Sequence, residues 1–189
     1  MKINELLKEY RADFGGTLPQ NTLPGLYDLI KYVQNNLGKE ITVIEIGAFE
    51  GVSTELFAIT CKQVYTVDGW DLSVTQNNYN GIPIERLKEA ELRCRSRLKD
   101  YDNVTIMKKI SEKAHFDFVD NSYDLVYIDG DHIEEAVYND IIWWKSKIKE
   151  GGYIAGHDYS NIYTVKRAVD NIFGKPDIVF GDCSWLKKI

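Results

Sequence analysis

Two short stretches late in the chain hold its densest chemistry. Tyr127-Ile128-Asp129-Gly130-Asp131-His132 sets two carboxyls and an imidazole within four positions, and Gly156-His157-Asp158-Tyr159 pairs imidazole with carboxyl again. Such groups can accept a proton near neutrality or hold a divalent cation. A third stretch, Glu45-Ile46-Gly47-Ala48-Phe49-Glu50-Gly51-Val52-Ser53-Thr54, has the spacing E-x-G-x-x-x-G. Gly47 permits a tight turn with nothing projecting, and Gly51 permits close approach of a ligand. A dinucleotide fingerprint needs a third glycine where Phe49 stands, so a pyrophosphate cradle is not indicated. Asp68 follows Gly47 at the distance at which a carboxylate can take both hydroxyl protons of a ribose, with Asp71 as its fallback.

The elements around these groups explain how they could meet. Apolar runs at 41–46, 63–67, 103–109, 123–128 and 152–156 read as short strands. Helical spacing marks 26–37, 51–60, 83–98, 134–149 and 163–173. The helix over 134–149 carries Glu134 and Glu135 at its start and Lys145, Lys147 and Lys149 at its end, which complements the helix dipole. Segments 177–181 and 184–188 read as a terminal hairpin across Gly181-Asp182. Alternating strand and helix predict an α/β fold, a mostly parallel sheet with helices on both faces. Ligands in such folds bind beyond the carboxyl ends of the strands, where all three stretches fall.

Two other strand ends belong to the same edge. Val67-Asp68-Gly69-Trp70 offers Trp70 either as a stacking partner for a base or as packing. Lys109-Ile110-Ser111 offers Ser111 as a cap for the helix that follows.

From Tyr123 to Tyr159, "YDLVYIDGDH" and then "GYIAGHDY", preceded by "VIEIGAFEGVST" and "VDGW", the chain resembles the class I methyltransferases that use S-adenosylmethionine. Within them it is similar to the small-molecule O-methyltransferases acting on macrolide and aminocoumarin sugars. The match runs in order over about residues 41–160. The resemblance implies a Rossmann-like fold with seven strands, the last antiparallel. It implies a cofactor site at Glu45, Gly47, Ala48, Gly51, Ser53, Asp68, Gly69, Trp70, Ser111 and Asp129, with Ser111 beside the adenine. It implies a catalytic base at Asp131, with His132 as its rival. It also implies a divalent metal, magnesium or manganese, at Asp129, His157 and Asp158. The relatives usually carry Asp where His157 stands, and imidazole favours manganese, iron or zinc over magnesium.

The remainder is consistent with a compact enzyme. Its 189 residues suit one methyltransferase domain over 1–189, with 1–40 as an N-terminal helical lid and 41–189 as the cofactor-binding core. A small-molecule acceptor is therefore expected, with a pocket that includes the Asn-rich loop 71–82. The net charge of -6 speaks against nucleic acid as a partner. No apolar run long enough for a membrane span occurs. Cys61, Cys94 and Cys183 are widely spaced, and Lys2, Glu5, Lys8 and Glu9 break up the first ten residues, so a cytoplasmic location is expected. Trp143 and Trp144 read as packing, with a homo-oligomer contact as the alternative. Arg93, Arg95 and Arg97 read as a solvated face balanced by Glu85, Glu89 and Glu91. An NAD-type oxidoreductase and a non-catalytic binding protein are the competing functions.

Overall fold

A computed structural model describes residues 3–8, 23–73, 78–79 and 82–189. Its elements run α1 (Ile3–Leu6), α2 (Leu23–Leu37), β1 (Thr42–Ile46), α3 (Val52–Thr60), β2 (Gln63–Asp68), β3 (Asn78–Tyr79), β4 (Ile82–Pro83), α4 (Ile84–Leu98), β5 (Val104–Lys108), α5 (Ser111–Ala114), β6 (Tyr123–Ile128), α6 (Glu134–Lys145), β7 (Ile148–Gly156), α7 (Tyr163–Phe173), β8 (Ile178–Val179) and β9 (Trp185–Lys188). Seven strands form one sheet in the order β5-β2-β1-β6-β7-β9-β8. The strands from β5 to β7 are mutually parallel, and β9 pairs antiparallel with β7 and with β8. This is the Rossmann-like seven-stranded sheet expected from the sequence, its last strand antiparallel and its terminal hairpin in place.

The strands are apolar on both sides because both faces of the sheet are covered. Val43, Leu125, Tyr127, Tyr153 and Ala155 face one layer, in which α2 and α3 supply Leu26, Leu29, Ile30, Leu56 and Phe57. Ile44, Ile46, Val126, Ile128 and Ile154 face the other, against Val137, Ile141 and Trp144 of α6 and Val165, Ala168 and Val169 of α7. Away from the expected ligand edge, buried Asp124 accepts hydrogen bonds from Lys39, from the N–H of Thr42 and from Lys149. Burial opposes its charge, but these three donors more than offset it and hold its pKa low.

Two elements differ from expectation. The helix predicted over 134–149 ends at Lys145, and the chain re-enters the sheet at Ile148, which pairs with Tyr123. Lys147 pairs with Asp120, and Lys149 with Asp124, so the basic last turn reduces to Lys145. The Arg93–Arg97 face is only partly a solvated one. Arg93 and Arg95 make i,i+4 pairs with Glu89 and Glu91, whereas Arg97 reaches the nearly buried Glu55 at 2.5 Å. Trp144 is fully buried, and Trp143 stacks on His115 with ring centroids 5.5 Å apart.

Candidate functional site

The carboxyl ends of β1 and β6 meet at one point. Gly47 has φ +96°, and a Cβ built on it would lie 2.1 Å from the carbonyl oxygen of Asp129. Only glycine fits, so the turn after β1 lies directly against the acid cluster after β6. Gly51, with φ +78°, precedes α3, and its Cβ would stand 3.0 Å from Cys94 Sγ. Its bareness therefore serves the packing of α4 as well as the turn.

Below that loop, Glu45 is fully buried. Its carboxylate accepts hydrogen bonds from Ser53 Oγ (2.5 Å), Thr54 Oγ1 (2.5 Å) and Thr66 Oγ1 (2.7 Å). Glu45 and Ser53, both expected at the cofactor site, turn their side chains inward and hold the loop. Ala48 is likewise 3% exposed and packs its methyl group in the core, while its carbonyl accepts the Gly51 N–H at 2.7 Å and closes the turn.

The turn after β2 carries Trp70 and Asp68. Trp70, with φ +40°, folds its ring under the loop, among Ala48, Leu87, Ala90, Cys94 and Leu98. It is 2% exposed, and its indole N–H donates to the carbonyl of Phe49 at 2.9 Å. Of the two readings of Trp70, packing is the one the structure displays, and the ring is not offered to a base. Asp68 remains at the strand end. Its carboxylate accepts the backbone N–H groups of Phe49 (2.8 Å) and Trp70 (2.6 Å), tying the β2 turn past Gly69 to the glycine loop. Burial pushes its pKa up, partly countered by those donors. Asp71 pairs instead with Lys108 at 2.5 Å.

At the next strand end, Ser111 is the first residue of α5 rather than its cap. Its hydroxyl donates to Asp140 and accepts from Trp144 Nε1 at 2.8 Å. Asp140 was not anticipated. It is 5% exposed on the buried face of α6, and desolvation pushes its carboxyl up to about 7. The signal was present in the sequence, for Asp140 shares the helical stripe of Val137, Ile141 and Trp144.

The acid–imidazole cluster brings Asp129 and Asp158 together with both His132 and His157. Ligand atoms of Asp129, His132 and Asp158 all lie within 4.8 Å of one another. His132 Nε2 stands 3.2 Å from Asp158 Oδ2 and 3.8 Å from Asp129 Oδ1. His157 was expected in that trio. It lies behind it, 6% exposed, with Nδ1 3.2 Å from Asp158 Oδ1 and 3.9 Å from Asp129 Oδ1. The reason is local. His157 N–H still bonds to Ile128 O in sheet register, which keeps its ring inside, whereas Asp158 turns outward with φ +62°. Partial burial works against protonation of His132, but Asp129 and Asp158 outweigh it and raise its pKa. Asp131 accepts the N–H of Ile133 at 2.9 Å and so shapes the turn into α6. Residues 74–77 and 80–81 of the expected acceptor loop, and residues 1–2 and 9–22 of the lid expected over 1–40, lie outside the described residues.

A family model described as a methyltransferase domain matches residues 44–159. An uncharacterized protein of Acanthamoeba polyphaga mimivirus is 29% identical over 141 residues, covering 71% of this chain and 59% of its own length. The chain thus spans somewhat over half of that relative. Among solved structures, the O-methyltransferase NovP superposes with a TM-score of 0.65 at 17% identity, covering 86% of this chain and 78% of its own. A Streptococcus mutans protein assigned as a methyltransferase, solved with S-adenosylhomocysteine, gives 0.60 at 14% identity, covering 87% and 98%.

Proposed function

The chain belongs to the methyltransferase-domain family, and on that premise we propose that it carries the methyl group of S-adenosylmethionine to a hydroxyl of a small acceptor, assisted by a divalent cation. The observation that supports this best is the contact between the Gly47 turn and Asp129. It puts the loop expected to bind the cofactor and the acid–imidazole cluster on one continuous edge.

In this reading the backbone of Gly47 to Gly51 takes the amino-acid end of the cofactor. Asp68, whose carboxylate also takes the Ala48, Phe49 and Trp70 N–H groups, offers its remaining acceptor capacity to a ribose hydroxyl. The sulfonium activates its own methyl group. The chain must align acceptor, methyl and sulfur and relieve the acceptor of its proton. His132 faces two carboxylates, so the proton-accepting role falls to its neighbour Asp131.

The donor set fits a cation. The side chains of Asp129 and Asp158 are 9% and 15% exposed, a close pair of acids poorly served by water, with imidazole completing the set. Two oxygens and one nitrogen suit manganese, iron or zinc better than magnesium. When bound, the cation supplies Lewis acidity that eases loss of the acceptor's proton.

The test is release of S-adenosylhomocysteine from S-adenosylmethionine over a panel of small hydroxylated acceptors, with EDTA or added manganese. Asp131→Asn is expected to lower kcat by about 100-fold or more while cofactor affinity stays within about twofold. Loss of affinity with kcat preserved would assign Asp131 to binding instead.

A further inference from the structure

We propose that Asp140 is a positioning residue for this reaction, fastening the turn that carries Ser111 to the turn that carries the acid cluster. The inference rests on the methyltransferase reading above and deepens it. Asp140 lies on α6, yet its carboxyl bonds to one other element at the ligand edge and lies close to another. One oxygen takes the hydroxyl proton of Ser111, at the start of α5. The other lies beneath Gly130, where an added methyl group would stand 3.9 Å from Oδ2. Gly130 separates Asp129 from Asp131, so a single carboxyl underlies the bend holding both the cation site and the proposed base.

The Ser111 hydroxyl is fixed from two sides. It donates to Asp140 and accepts from Trp144 Nε1 at 2.8 Å, one helical turn further along α6. A hydroxyl so held has one orientation and keeps one lone pair for a further donor. Ser111 lies three residues past the end of β5, the strand that neighbours β2 and Asp68. An oriented acceptor at that place suits a cofactor's amino group, and its direction is set by Asp140.

Purely architectural reasons for the acid are weak. Burying it raises its pKa to about 7, so it is poorly solvated and has no cationic partner among the interactions that set that value. An aliphatic side chain among Val137, Ile141 and Trp144 would pack without that penalty. The carboxyl is explained by what it holds.

The experiment measures S-adenosylhomocysteine affinity by calorimetry, with thermal melts, for the full chain and for Asp140→Ala, Asp140→Asn, Ser111→Ala and the double variant Asp140→Ala/Ser111→Ala. Asp140→Ala and Ser111→Ala are each expected to weaken binding about 10-fold. The double variant should fall no more than about twofold below either single, because both act through one hydroxyl. Asp140→Asn keeps an acceptor for Ser111 and should recover affinity to within about threefold of the unaltered chain. Should Asp140→Ala fail to fold, Ser111→Ala and Asp140→Asn carry the test. Unchanged affinity in folded Asp140→Ala or in Ser111→Ala, or losses that simply multiply, would overturn the role of Asp140 alone. Failure of the unaltered chain to bind would overturn the methyltransferase reading and this inference together.

Discussion

Replacing Glu45 by Ala should cost stability before it costs chemistry. The carboxylate is fully buried and accepts from Ser53, Thr54 and Thr66, themselves fully buried. Each hydrogen bond to a charged group contributes about 1.5–3 kcal/mol, but the three share one acceptor and do not add. Removing one side of a buried charged network typically costs about 3–5 kcal/mol, because the orphaned donors remain desolvated. That is a large part of the roughly 5–15 kcal/mol that holds a domain folded. At about 2–4 °C per kcal/mol for a chain of this size, Tm should fall by roughly 6–20 °C. Glu45→Gln keeps one acceptor oxygen, and a hydroxyl can rotate to accept from the new amide, so about 1–2 kcal/mol is expected. Urea unfolding followed by circular dichroism measures the loss. Calorimetry with S-adenosylhomocysteine on the folded fraction shows whether binding survives. A loss under about 1 kcal/mol together with abolished binding would refute the reasoning, for Glu45 would then touch the ligand rather than the loop.

Gly47→Ala should drive a methyl group into the Asp129 carbonyl in a backbone region costly for alanine. A drop of at least about 10-fold in S-adenosylhomocysteine affinity, read by calorimetry, is expected, and near-normal binding would show that the β1 and β6 turns need not touch. Asp158→Asn and His132→Ala should each weaken manganese binding by about 10–100-fold, measured by electron paramagnetic resonance of the free ion. Unchanged binding would locate the cation elsewhere. Asp140 sets a pH dependence of unusual sign. Its folded pKa is raised from 3.8 to about 7, so between those values the folded chain binds more proton than the unfolded one. Its contribution to stability therefore falls as pH rises from about 4 to about 7 and is level above, a difference on the order of a few kcal/mol. Comparing urea midpoints of the chain and of Asp140→Asn across that window should show the variant gaining relative stability with pH, and a constant difference would contradict the raised pKa.

The ends of the strands were legible because sequence marks them twice. An apolar run stops, and glycine or a polar cluster begins, as at Ile46-Gly47 and Ile128-Asp129. The order of those ends along one sheet edge follows from parallel crossovers, which leave few alternatives. What the pattern leaves open is the direction of single side chains. Trp70 and His157 are correctly placed along the chain, but one residue with φ +40° buries the first, and one further step of sheet register buries the second. His132 enters the cluster through the path of the loop after Gly130, which no periodicity encodes. The end of α6 was overrun because Lys147 and Lys149 suit a helix terminus as well as they suit their pairs with Asp120 and Asp124, and only the sheet decides between them.

The account stands most directly on what binds at the Gly47 turn. Titrating the chain calorimetrically with S-adenosylmethionine, with S-adenosylhomocysteine and, as a control, with NAD tests that claim. Micromolar binding of either sulfur ligand and none of NAD is the predicted result. Binding of NAD, or of neither sulfur ligand, would contradict it.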